Sequence, residues 1–315
     1  MARRRNRGRS INGIFLLDKP QGLSSNQALQ WVKNLFDANK AGHTGALDPL
    51  ATGVLPICLG EATKFSQFLL DSDKHYLSTF TLGVTTKTGD SEGEVVVEQN
   101  AGAVTLAQIE AAAEGFRGEI QQIPPMYSAL KHKGQPLYKL ARQGIEVERD
   151  ARTITVFDFQ ILNFRPGQQA QLDVQAHVSK GTYVRSLAED LGNVLGCGGH
   201  VSALRRNIAG PFSEAETMIL PDLQALAEAG QPIDLDYLLK PMDAPVADRM
   251  AVELTETVAT YFQLGQSVMS TQAFRHGQEG DIVRVFREGG SFLGVATVTE
   301  DGRIAPKRLV VEDGL

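Results

Sequence analysis

One carboxylate, Asp48, stands in the stretch AGHTGALDPLATGVLPICLG (residues 41–60), which is otherwise apolar residues, glycines and a few neutral polar groups. Pro49 disfavours helical backbone at Asp48, so the carboxylate is expected to be held in an extended segment. Gly42, Gly45 and Gly53 would let main chain approach a ligand closely. An Asp-Pro pair by itself is a turn initiator. The other chemistry open to such a residue is nucleophilic catalysis, which requires it to be ionised in a dry site and therefore to have a cation nearby. Arg185, in KGTYVRS at a strand-to-helix junction, is the candidate cation, although by its spacing alone it reads equally as a surface helix residue. His43, on the same loop, is the neutral ring nearest the carboxylate in sequence.

The elements that must position these groups can be read from periodicity. Ile14–Leu17 is an apolar run ending in the turn signal DKPQG. Ser24 or Ser25 can cap a helix whose apolar residues, Ala28, Leu29, Trp31, Val32, Leu35 and Phe36, recur at helical spacing, so Trp31 is expected in the core. Val54–Leu59 reads as a strand leaving the Asp48 loop, and EATKFSQFLL as a short helix. HYLSTFTLGV alternates as a strand, followed by a TGDSEGE turn and a strand at Val95–Val97. Thr105 and Gln108 form a capping-box pattern before a helix at Ile109–Ala113. Strands are expected at Thr153–Phe159 and Leu172–Val178, and then a helix with Val184, Leu187, Ala188, Leu191 and Leu195 on its apolar face. Beyond Pro245 short alternating strands with an Asp301-Gly302 hairpin signal predict a small β-rich unit. The fold class is therefore α+β with a mixed, largely antiparallel sheet and flanking helices.

Composition sets the outer bounds. The chain has 315 residues, 42% hydrophobic and 22% charged, with a net charge of −6 and a pI of about 5.6. This is ordinary globular composition with enough apolar material for a sizeable core. Cys58 and Cys197 form no CxxC pair, which implies neither a disulfide framework nor a zinc cluster and fits a reducing, cytoplasmic setting. No apolar run approaches the ~20 residues of a membrane span, and the basic N-terminus MARRRNRGRS lacks the apolar region of a secretory signal. Although the net charge is acidic, cations are grouped: Arg3, Arg4, Arg5, Arg7 and Arg9; Lys131, Lys133, Lys139 and Arg142 among Tyr127 and Tyr138; and Arg205 with Arg206. The first group reads as a solvated tail or a nucleic-acid contact.

GHTGALDPLATGVLPICLGEATK resembles the catalytic motif of the TruB family of tRNA pseudouridine synthases. LDKPQGLSS, KHYLSTFTLGVTTKTGDSEGE, PPMYSALKHKGQPLYKLARQGIEV, SKGTYVRSLAEDLG and HVSALRR continue the resemblance in the family's order across most of residues 11–210. It implies a pseudouridine-synthase core at 11–248 after a basic tail at 1–10, a thumb insertion at about 124–152, and a PUA-like RNA-binding domain at 249–315. The implied reaction isomerises uridine 55 in the tRNA T loop, with base flipping and no metal or redox cofactor. Asp48 would be the nucleophile, toward either sugar or base, and Arg185 its ion-pair partner. Tyr76 would stack on the target base, with its hydroxyl near the C5 proton. Tyr183 would line the same pocket, Leu204 would form an apolar wall, and His43 would fill the stack that the base vacates. Lys19 and Pro20 would support the catalytic loop, Lys19 near phosphate, while Lys64 would face the RNA backbone. The C-terminal domain would hold the acceptor-stem end. The implied partner is tRNA, with no required protein partner and a monomer as the default. Two other classes remain open: an RNA-binding or RNA-folding protein with incidental catalysis, and a guide-RNA-dependent relative.

Overall fold

The computed structural model describes residues 8–311. Arg3, Arg4, Arg5 and Arg7 lie outside them. The larger part of the chain builds β1 (Gly13–Lys19), α1 (Ser25–Leu35), β2 (Thr52–Leu59), β3 (Lys74–Leu82), α2 (Leu106–Glu114), β4 (Gly118–Gln122), β5 (Arg152–Arg165), β6 (Gln171–Val178), α3 (Val184–Val194), β7 (Gly199–Ala209), β8 (Met218–Ile219) and α4 (Leu220–Ala229). Its sheet runs β8-β1-β2-β7-β3-β6-β5-β4, and the short strands Ala41–His43 and Phe212–Ser213 pair with β2 and β7. Most neighbours are antiparallel; β1–β8 and β2–β7 are parallel. The expected mixed, largely antiparallel α+β architecture is present.

Local sequence explains the flanking helices. Ser24 caps α1 in a reciprocal box with Gln27, and Thr105 caps α2 with Gln108. Ala28, Leu29 and Val32 of α1, Ile109 and Ala113 of α2, and Val184, Leu187, Ala188 and Leu191 of α3 bury one stripe each in the main core, which also holds Phe80, Phe159 and Val174 of the sheet. Trp31 departs from its expected place. It is 46% exposed, because it lies on the flank of α1 away from the Ala28/Val32 stripe.

A second, β-rich unit has strand order Ala251–Leu254, Ile282–Arg287, Phe292–Val298, Arg303–Leu309, Val268–Met269, with its own apolar cluster around Phe262 and Val285. Asp301 and Gly302 turn its last hairpin as their types predict: Asp301 accepts from Thr299 Oγ1, and Gly302 takes φ +75°. Phe65, Val246, Val295 and Val310 pack the two units together. Among the described residues no helix is long and apolar enough to cross a membrane.

Candidate active site

The Asp48 loop connects Ala41–His43 to β2 and is tied down mostly through main chain. Ser25, the first residue of α1, donates from Oγ to the Leu47 carbonyl at 2.9 Å and accepts from the Leu47 N–H at 2.7 Å. The Pro49 carbonyl accepts from Gly22 at 2.8 Å, and the Asp48 carbonyl accepts from Ala51 at 3.0 Å, closing a turn around the carboxylate. Gly53, at φ +100°, would place a Cβ 2.2 Å from the Arg206 carbonyl. Its role is to let β2 meet β7 closely, not to admit a ligand. Gly42 has ordinary backbone and only a distant Thr63 methyl beside it.

Arg185 is the second residue of α3, reaches back to this loop, and is 4% exposed. Its Nε lies 2.9 Å from Asp48 Oδ2 and 3.8 Å from Asp90 Oδ2. Its Nη1 donates to the Thr88 carbonyl at 2.6 Å and Nη2 to the Tyr127 carbonyl at 2.7 Å. A guanidinium can serve three such directions at once from one rigid plane. The Asp48 side chain is still 42% exposed, so the pair sits at the lip of the site. Burial against the cleft pushes the Asp48 carboxyl above its ordinary value, Arg185 and Lys19 pull it down, and Asp90 adds to the push.

Asp48 stands between two cavities. The inner one, about 290 Å³, is lined by Lys74, Tyr76, Tyr183, Leu204 and Arg206 as well as Asp48 and Arg185. The outer one, about 740 Å³, shares Asp48 and Arg185 and is bordered by His43, Gln27, Glu92, Tyr127, Tyr138 and Arg142. Burial, followed by the charge of Arg206, keeps His43 below the ordinary histidine value and so favours the neutral ring; its Nδ1 is buried without a partner. Burial raises the Tyr183 phenol. A smaller chamber therefore adjoins a wider one, with one ion pair shared between them.

The description "TruB family pseudouridylate synthase (N terminal domain)" matches residues 33–184. "tRNA pseudouridylate synthase B C-terminal domain" and "Pseudouridine synthase II TruB, C-terminal" match 185–247 and 251–310. A protein of Saccharophagus degradans named tRNA pseudouridine synthase B is 55% identical over 312 residues, covering 98% of this chain and 99% of that one. One of the same name from Yersinia pestis is 54% identical over 320 residues, covering 99% and 96%. The chain belongs to the TruB family of pseudouridine synthases. It is thus an isomerase in class, and the TruB core accounts for the sheet and its cleft. Among solved structures, a Cbf5-Nop10-Gar1 complex aligns at TM-score 0.69 and 26% identity, over 96% of this chain and 84% of that chain. An H/ACA RNP bound to a substrate RNA containing 2'-deoxyuridine aligns at TM-score 0.70 and 24% identity, over 96% and 86%, and shares the fold.

The cleft gathers Asp48, Arg185, Tyr76, Tyr183 and Leu204 around the inner cavity and His43 at the outer one. The remaining basic residues are engaged within the chain. Lys19 is fully buried: Nζ donates to the Pro20 and Leu23 carbonyls at 2.8 and 2.6 Å, so it braces the turn before α1. Lys64 pairs with Glu61 and donates to the Leu309 carbonyl at 3.0 Å, joining the two units. Arg205 is held by Asp18 at 2.8 Å and Glu214 at 2.7 Å, and Arg206 is 1% exposed, donating to the carbonyls of Val54 and Gly45. In the N-terminal group, Arg9 is anchored to Asp236 at 2.9 Å and so is no free tail residue.

Four contributors were not singled out from sequence: Ser25 as the loop's pin, Asp90, Lys74 and Gln122. Lys74 had a signal, since it precedes Tyr76 by one full strand period and so shares its face. It is 6% exposed and donates to the carbonyls of Leu69, Leu70 and Ser72; burial holds its ammonium down at about 8. Asp90 hid in what reads as a polar turn, TGDSEGE, yet is 5% exposed beside Arg185.

Proposed function

We propose that this protein isomerises uridine 55 in the T loop of tRNA to pseudouridine, without a guide RNA, by flipping the base into the inner cavity and attacking with Asp48. The observation that carries the reading is the position of Asp48: paired with a buried arginine, on a pinned loop, at the threshold between the two cavities. The names of the relatives, tRNA pseudouridine synthase B, supply the substrate class.

The roles then follow from placement. The target base enters between Tyr76 and Tyr183, with Leu204 as an apolar wall. His43, neutral at physiological pH, takes up the stacking position that the base leaves in the loop. Once RNA covers the cleft, Asp48 loses water, and Arg185 is the group that keeps it ionised. Addition of the carboxylate to the substrate allows the N1–C1′ bond to break, the base to turn, and C5 to bond to C1′. The C5 proton is then lost, the freed N1 takes up a proton, and Asp48 is regenerated, so the reaction balances as an isomerisation. The thumb, about 124–152, closes over the RNA with its exposed cations, the PUA-like C-terminal unit engages the acceptor-stem end, and the protein acts as a monomer.

The test uses an unmodified tRNA transcript carrying tritium at uridine C5. Wild type should release tritium with no added guide, and Asp48→Asn should bind the transcript and release none. Release by Asp48→Asn overturns the nucleophile assignment. Release only with an added guide RNA assigns the protein to the guide-dependent mode. Tight tRNA binding with no release by wild type assigns it to RNA binding or folding.

A further inference from the structure

Gln122 ends β4, the edge strand of the sheet, and is 2% exposed. Its backbone registers with Arg152 of β5, while its side chain reaches the start of α3. There Oε1 accepts from the Tyr183 N–H at 2.8 Å, and Nε2 donates to the Tyr183 carbonyl at 3.1 Å. The amide thus clasps both main-chain groups of one residue. Tyr183 is the N-cap of α3 and has no side-chain cap of its own. Its N–H would otherwise be a buried orphan.

The clasped residue has chemistry on both sides. The Tyr183 side chain lines the inner cavity, and Arg185, two residues on, pairs with Asp48 at 2.9 Å. The chain leaving Gln122 stays on the same helix start, where Ser186 Oγ donates to the Ile123 carbonyl at 3.4 Å and Arg185 Nη2 donates to the Tyr127 carbonyl. We infer that Gln122 is a positioning residue for the reaction: its amide fixes the first turn of α3 and through it the Arg185–Asp48 pair and the Tyr183 wall. The inference rests on the proposed role of Asp48.

The neutral amide satisfies both partners at any ordinary pH. Glutamate keeps the acceptor but loses the donor, and when protonated it regains one. Methionine keeps the volume and loses both. With unmodified tRNA and tritium release as the assay, Gln122→Met should lower kcat about ten- to hundredfold, because small displacements of reacting groups are costly, while KM and tRNA affinity stay within about threefold. Gln122→Glu should be impaired at alkaline pH and should recover toward wild type as pH falls and its carboxyl protonates. Circular dichroism and thermal melting verify that both variants fold. The assignment is overturned if Gln122→Met keeps kcat within about twofold, if its loss is matched by lost tRNA affinity or folded fraction, or if the ratio of Gln122→Glu to wild type is flat with pH. Asp48→Asn is assayed alongside: its activity would remove the nucleophile reading itself, whereas an inactive Asp48→Asn beside an unaffected Gln122→Met removes only the positioning role.

Discussion

Arg185 Nε lies 2.9 Å from Asp48 Oδ2, and the same guanidinium spends its remaining reach on the carbonyls of Thr88 and Tyr127. One buried cation therefore joins three segments distant in sequence: the Asp48 loop, the turn holding Asp90, and the thumb. Its two Nη contacts are neutral acceptors, so the charge is left to serve the carboxylates.

Arg185→Lys keeps the charge but not the fork, and it should lower kcat at least about a hundredfold with a smaller effect on tRNA affinity. Arg185→Met should do more. With the cation gone, burial and Asp90 act on Asp48 unopposed except by Lys19, so the carboxyl titrates higher. The acid limb of residual kcat against pH should move to higher pH in Arg185→Met. A limb that stays put would show that Arg185 does not hold the charge of Asp48.

Ser25→Ala removes both hydrogen bonds between the start of α1 and Leu47. The Leu47 N–H is then left buried without that acceptor, which costs about 1–3 kcal/mol of stability. The larger consequence is catalytic: with Asp48 next in the chain, kcat should fall about tenfold or more with KM little changed. Chemical denaturation and single-turnover tritium release measure the two effects separately. Ser24→Ala, which loses only the helix cap, serves as the contrast: about 1 kcal/mol of stability lost and kcat retained.

Much of the fold was legible because its signals are local. The capping boxes at Ser24 and Thr105, the Asp301-Gly302 turn and the stripe from Val184 to Leu191 depend only on neighbours in sequence. Asp48 and Arg185 could each be named as candidates, but their meeting depends on the sheet order, which no spacing encodes. The charged residues were the hardest to place. Lys19 read as a support near phosphate, Lys64 as a residue facing the RNA backbone, and Arg205 with Arg206 as a basic group; no spacing announced that each is held by carbonyls or carboxylates of its own chain. Whether a cation is solvated or satisfied internally is a tertiary property. Trp31 failed for a related reason: helical periodicity gives a stripe, and a residue on its border can turn either way.

Lys74 offers a test through stability. Its ammonium is held down at about 8, against an ordinary value of 10.5, with burial as the main cause. Between those values the folded protein has released the proton that the unfolded chain still binds, so stability from this group rises with pH across that window. Lys74→Met lacks this gain. The stability difference between wild type and Lys74→Met should therefore shift toward wild type from about pH 8 to about pH 10.5, by up to about 3 kcal/mol. Urea denaturation of the two proteins at several pH values measures it, and a constant difference would refute a buried, depressed ammonium.

The thumb cations should set the salt dependence of tRNA binding, and the paired arginine should not. Lys131, Lys133 and Lys139 are exposed and carry no carboxylate partner within ion-pair distance among the described residues, and Arg142 is exposed with its guanidinium 5.5 Å from the Tyr138 ring centre. Each cation that meets a phosphate contributes about one to the slope of log affinity against log salt. Replacing Lys131, Lys133 and Lys139 together by glutamine should therefore flatten that slope by up to about three, and weaken binding most at low salt. Arg205→Gln should leave the slope unchanged, because its guanidinium is already neutralised by Asp18 and Glu214. It should instead loosen the junction of β1 and β7 and show as a lower melting temperature. Filter binding over a range of salt concentrations distinguishes the two sets, and an unchanged slope in the triple thumb variant would mean that the RNA runs elsewhere on the molecule.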